Sequence, residues 1–152
     1  KTLNKLASNW CIVRTSTPFG IHNKKKSFPL WVKENLELKK EVKVVTDQFT
    51  SPTYVPNLSK MLIELSLREI TGIINLAGLT RISRFQLAEL VADMLNLDKK
   101  LLISTKTDEM DWKAQRPKDS SLDVSFATEI LNEKPQKIEQ SLELFLSKLK
   151  NN

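Results

Sequence analysis

The stretch Trp10-Cys11-Ile12-Val13-Arg14-Thr15-Ser16-Thr17-Pro18-Phe19-Gly20 decides the fold class. Its first four residues are apolar without interruption and include the β-branched Ile12 and Val13, the pattern of a short strand buried on both faces. Polar residues follow, then Pro18 and Gly20, so the strand ends in a loop. Strands of that kind build parallel sheets, and an open α/β sheet binds its ligands outside the carboxyl ends of its strands. Within the apolar run Cys11 is expected to be a buried packing residue, not a nucleophile.

The flanking sequence alternates helix and strand patterns. Residues 2–8 read as the tail of a helix. Ser27 to Lys40 reads as an amphipathic helix capped by Ser27, with Phe28, Trp31, Val32 and Leu36 at helical spacing. Val42, Val44 and Val45 suggest a second strand. Thr46 to Pro56, with two prolines, reads as a polar loop of the kind that often carries function. Asn57 is expected to cap a helix reaching about Arg68, and Gly72 to Leu76 reads as a strand. Ser83 and Gln86 form a capping box in front of Leu87, Leu90, Val91 and Met94. Leu101 to Ser104 suggests a short strand, and residues 105–121 look irregular. A short helix is expected near Val124 to Leu131. A last one starts near Pro135, with Ile138, Leu142, Phe145 and Leu149 inward. The alternation means an α/β protein. Only three or four strands are readable, few for a sheet covered on both faces.

Composition excludes several classes. The 152 residues are 40% hydrophobic and 28% charged, ordinary for a globular domain. The net charge of +6 comes from lysines spread along the chain, which reads as a solvated surface. Lys24-Lys25-Lys26 has no interleaved aromatic residue, so a nucleic-acid site is not expected. One cysteine excludes an intrachain disulfide. No apolar stretch approaches a membrane span, and no signal-peptide core is visible, so the expected location is the cytoplasm. His22, the sole histidine, sits in a loop beside lysines and reads as a surface group. No metal site and no Gly-rich phosphate loop is expected, the glycines being Gly20, Gly72 and Gly78. Asp108, Asp111 and Asp123 read as solvated or capping carboxylates.

Four stretches, taken in order, carry a resemblance. They are Val13-Arg14-Thr15-Ser16 with Phe19-Gly20, Asp47-Gln48 with Pro52-Thr53, Asn75-Leu76-Ala77-Gly78 leading to Ser83 and Leu87-Ala88, and Arg116-Pro117 with Ser120 and Leu122-Asp123. Together they resemble the second half of the dTDP-4-dehydrorhamnose reductase family, a branch of the extended short-chain dehydrogenases. The resemblance implies the C-terminal portion of a Rossmann-like doubly wound parallel sheet plus a smaller substrate-binding region. Residues 1–152 would form one part of a single reductase fold, without its N-terminal dinucleotide-binding half. The family's Tyr-x-x-x-Lys pair is expected upstream of Lys1, because Tyr54 has Leu58 four residues later. This chain is therefore expected to hold no catalytic residue and to be inactive alone.

The same resemblance implies NADPH (or NADH) as cofactor and a 4-keto-6-deoxy nucleotide-sugar as substrate. Thr15, Ser16 and Thr17 fall where the family's strand-end loop passes the cofactor. Many members have tryptophan, whose ring would pack on the deoxysugar, where this chain has Thr17. Gln48, Thr53 and Arg116 fall on substrate-side loops. Arg116 is favoured because a guanidinium fork suits a pyrophosphate, while Pro117 holds its backbone extended. Expected partners are the nucleotide-sugar and the other half of the fold; a homodimer is left open. The alternative is a non-catalytic regulatory subunit. Ala114-Gln115-Arg116-Pro117 is also similar to the regulatory subunit of methionine adenosyltransferase, which belongs to the same family.

Overall fold

Two parallel strand pairs and the helices packed on them carry the structure, and each pair joins residues far apart in sequence. The computed structural model describes residues 9–22 and 24–150. Strand β1 (Cys11–Arg14) pairs with β6 (Gly72–Asn75), with Val13 opposite Ile74. Strand β3 (Val42–Val45) pairs with β8 (Leu102–Thr105), with Val44 opposite Ser104. The chain is thus α/β with parallel pairing, as its alternating pattern predicts. The expected helix over residues 2–8 lies outside the described residues.

Five helices surround these pairs among the described residues: α1 (Phe28–Glu37), α2 (Val55–Ser66), α3 (Arg84–Leu95), α4 (Ser125–Ile130) and α5 (Ile138–Lys150). They create two apolar cores. One gathers Val32 and Leu36 of α1, Val42 and Val44 of β3, Leu87 and Val91 of α3, and Leu142 and Phe145 of α5. The other joins Met61 and Leu65 of α2 to Ile74, Leu76, Ala127 and Leu131. Each such large side chain contributes roughly 1.5–3 kcal/mol on burial. The loop after β3 includes two-residue strands, β4 (Phe49–Thr50) and β5 (Thr53–Tyr54), and sends Tyr54 into the first core. Strand β5 pairs with β2 (Pro18–Phe19). Strand β4 is sandwiched between β7 (Ile82–Ser83) and β9 (Asp119–Ser120).

The Ser83 capping box is present in full. Ser83 Oγ accepts from Gln86 N, and Gln86 Oε1 accepts from Ser83 N, both at 3.1 Å. Three expectations are corrected. Cys11 is exposed, not buried; it begins its strand opposite Gly72, which offers no side chain to cover it. Asn57 does not cap α2, which begins at Val55. Its buried amide instead donates to Glu133 Oε1 at 2.9 Å and to the Lys134 carbonyl at 3.0 Å, tying α2 to the loop after α4. Ser27 stands at the N-cap of α1 with extended backbone, but its side chain makes no capping bond. Residues 105–121 are less irregular than expected, since β9 adds to the edge of β4. The β1–β6 pair is covered unevenly: Ile74 is buried while Ile73 is 50% exposed.

Candidate functional site

The carboxyl end of β1 opens into a network of hydroxyl groups. Ser16 is buried, and its Oγ donates to the Ser120 carbonyl at 2.7 Å. It lies 2.9 Å from Thr50 Oγ1 and accepts from Ser51 N at 3.2 Å. Thr53 is 0% exposed. Its Oγ1 lies in donor range of the Ser16 and Ser51 carbonyls, at 2.7 and 3.0 Å, and accepts from Gly78 N at 3.0 Å. Gly78 is required at that point because a Cβ there would sit 2.0 Å from the Pro52 carbonyl oxygen. Thr15 is exposed. Thr17 is half-buried, hydrogen-bonds Thr50 and holds φ at 36°. A β-branched residue rarely adopts that conformation, and its cost is of order 1–3 kcal/mol.

Beside this network lies a cavity of about 330 Å³ that Gln48, Arg84 and Arg116 line together with Phe28, Trp31 and Trp112. Gln48 is 8% exposed and its Nε2 has no hydrogen-bond partner. The walls also carry Lys43, giving three cations, and no carboxylate. The Arg84 guanidinium carbon stands 4.9 Å from the Phe28 ring centre, and that of Arg116 5.0 Å from the Trp112 ring centre. Burial, and after it the charge of Arg116, push the Arg84 guanidinium below its ordinary value. A cationic wall with an unpaired buried amide donor is complementary to an anion that can accept several hydrogen bonds.

Arg116 reaches the cavity from a strap over residues 106–118, which is anchored at both ends. At one end Asp47 Oδ1 accepts from Thr107 N at 2.9 Å and Thr107 Oγ1 at 2.8 Å. The hydroxyl bond is the main reason that carboxyl titrates below its usual range. At the other end Asp119 accepts from Arg81 Nε and Nη2 at 3.0 and 2.8 Å, and from Ser121 N and Oγ at 2.9 and 2.6 Å. The Ser121 bonds, then Arg81, pull its pKa down to about 2.

Of the residues singled out in the sequence, Gln48 and Arg116 therefore line one cavity. Thr17 lines a second cavity next to it, with Ser27 and Arg84. Ser16 and Thr53 are buried inside the hydroxyl network. Sequence reasoning missed Arg84, Trp31 and Trp112 as cavity residues. Arg84 directly follows the Ser83 cap, so its position at a helix start was legible; that this start faces Gln48 depends on the β4–β7 pairing. Among the described residues no group of three or more His, Cys, Asp or Glu side chains is placed to hold a metal ion. No helix among them is long and apolar enough to cross a membrane.

This parallel α/β frame matches the Rossmann-like fold of solved reductases and epimerases. The chain belongs to the RmlD substrate binding domain family, whose model matches residues 1–151. It is similar to a dTDP-4-dehydrorhamnose reductase from Bacillus anthracis in complex with NADP, at 26% identity and a TM-score of 0.83, covering 95% of this chain and 50% of that one. It is also similar to a hypothetical dTDP-4-dehydrorhamnose reductase from Sulfolobus tokodaii, at 36% identity and a TM-score of 0.76, covering 88% and 46%. A probable low-salt glycan biosynthesis reductase from Haloferax volcanii is 29% identical over 98 residues, 64% of this chain and 33% of that protein. The chain thus spans about half the length of its solved relatives and a third of this curated one.

Proposed function

We propose that this chain is the substrate side of a reductase that uses NADPH or NADH to reduce a 4-keto-6-deoxy nucleotide-sugar. The observation that carries this reading is the cavity wall: Lys43, Arg84 and Arg116 with the unpartnered Gln48 Nε2, and no carboxylate. A nucleotide-sugar matches it at both ends, with a pyrophosphate for the guanidinium forks and a base for the Trp31 and Trp112 rings. Family membership and the reductase relatives support the same class.

Within that reading the residues divide by task. Arg116 binds the pyrophosphate, and Gln48 donates to it from a fixed, buried position. Thr15 and Thr17 stand where β1 ends and present backbone and hydroxyl groups to the sugar or the cofactor. Ser16 and Thr53 act through the loop they hold, since their hydroxyls are already engaged within the protein. A bound nicotinamide would supply the hydride. The proton donor and the dinucleotide-binding turn belong to the part of the fold that this chain does not contain, so the fragment binds and orients but does not turn over.

The full-length protein, given a dTDP-4-keto-6-deoxy sugar, should oxidise NADPH or NADH. Absence of cofactor oxidation with both nicotinamides would overturn the reading. An intact Tyr-x-x-x-Lys upstream separates it from the regulatory-subunit alternative, which predicts a broken pair.

A further inference from the structure

The cavity beside Gln48 has a neighbour of about 280 Å³ at the Thr17 end of β1. The two hollows share two walls, Phe28 and Arg84. Arg84 is therefore the single charged side chain that faces both. The other cation of the second hollow, Lys26, is matched by Glu34 at 2.6 Å. Arg84 has no carboxylate partner among the described residues. Ser27 Oγ, on the wall of the second hollow, is buried without a hydrogen-bond partner, as Gln48 Nε2 is in the first.

Arg84 is also firmly placed. It is the first residue of α3, directly after the Ser83 N-cap. Its N–H donates to the Gln48 carbonyl at 2.9 Å, so the two residues are tied through the backbone. Its guanidinium lies over the Phe28 ring. A ligand running from Trp112 to Thr17 must pass Arg116 first and Arg84 second. In a nucleotide-sugar the order of groups is base, ribose, first phosphate, second phosphate, sugar. With the base at the tryptophans, the first phosphate meets Arg116 and the second meets Arg84.

We infer that Arg84 is a specificity-determining residue that reads the second, sugar-linked phosphate, selecting diphosphate-linked over monophosphate-linked sugars. The inference rests on the nucleotide-sugar reading and adds the direction in which the ligand lies. A guanidinium can take two oxygens of one phosphate at once, whereas a lysine offers only a point charge.

The test is equilibrium binding of dTDP and dTMP to the full-length protein by calorimetry. The unaltered protein should prefer dTDP by about tenfold or more, the value of one charge-assisted contact. Arg84→Gln should bring the two affinities to within about threefold of each other, because it weakens dTDP more than dTMP. Arg84→Lys should restore part of the preference. Arg116→Ala should weaken both nucleotides alike. Because the readout is a ratio within one variant, partial loss of folded protein does not imitate it, and the Lys variant guards against a Gln variant that fails to fold. A dTDP-to-dTMP ratio that ignores both Arg84 substitutions overturns this inference and leaves the nucleotide-sugar reading standing. Failure of the unaltered protein to bind either nucleotide overturns both.

Discussion

The loop between Thr46 and Pro56 and the strap over 106–118 border the same cavity and are built in opposite ways. In the loop Thr50, Ser51, Pro52 and Thr53 are buried, and its hydroxyls bond to Ser16, to backbone carbonyls and to Gly78. In the strap every residue from Lys113 to Lys118 is exposed, and the Arg116 guanidinium stands beside the Trp112 ring. Both carry polar residues at the ends of strands. The strap leaves Arg116 free for a ligand, whereas in the loop Gln48 Nε2 alone among the buried side-chain groups lacks a partner. The difference teaches that a polar side chain in a strand-end loop is a ligand contact only after its donors and acceptors have been counted against the protein.

The comparison breaks first at Gly78, where the largest effect is expected. A methyl group there would collide with the Pro52 carbonyl, 2.0 Å from an ideal Cβ. Backbone must move to accept it, and Gly78→Ala should cost about 3 kcal/mol or more. The denaturation midpoint of the full-length protein reads this directly. A midpoint unchanged by the substitution would mean that the loop is not packed as described.

Thr53 gives the next largest effect. Thr53→Val keeps the shape but leaves Gly78 N without its acceptor and the Ser16 and Ser51 carbonyls without the one hydroxyl hydrogen they share, at a cost of about 1–3 kcal/mol. Thr53→Ser retains the hydroxyl and should lose far less. Equal losses in the two variants would show that the methyl group, not the hydroxyl, matters. Arg116→Ala is the counterpart on the strap. It should weaken dTDP binding about tenfold while moving stability by less than about 0.5 kcal/mol. Binding unchanged with stability lost would reverse the assignment of the two regions.

Much of the frame was legible because periodicity reports burial. The runs at Cys11–Arg14, Val42–Val45 and Gly72–Asn75 are strands, and the Ser83 box caps a helix where the sequence places it. Cys11 misled because an apolar run does not reveal which neighbour faces each residue, and Gly72 covers nothing. Asn57 misled because a side chain suited to capping equally suits a buried tertiary bond. The site was half legible. Gln48 and Arg116, singled out through their motifs, both line the candidate cavity. Arg84 and Trp31 belong to helices whose mutual placement follows from packing of α1 against α3, and no local pattern encodes that contact.

The smallest expected effect separates the two regions by pH. The hydroxyl network contains no group that titrates in acid, whereas the strap is anchored by Asp47 and Asp119. The folded pKa of Asp119 is lowered from 3.8 to about 2. A carboxyl depressed in this way contributes stability above its unfolded value and loses it as pH falls through the folded one. The anchoring is therefore complete above pH 3.8 and fades toward pH 2. Asp47 shifts in the same direction, mainly through the Thr107 hydroxyl. Acidification across this window should release Ser121 and Thr107 before Thr53 and Gly78, a sequence that amide resonances in the full-length protein can follow. Asp119→Ala, which removes the acceptor, should release Ser121 already at neutral pH while leaving Gly78 protected. If Gly78 and Ser121 instead let go together in both experiments, the strap and the loop form one cooperative unit.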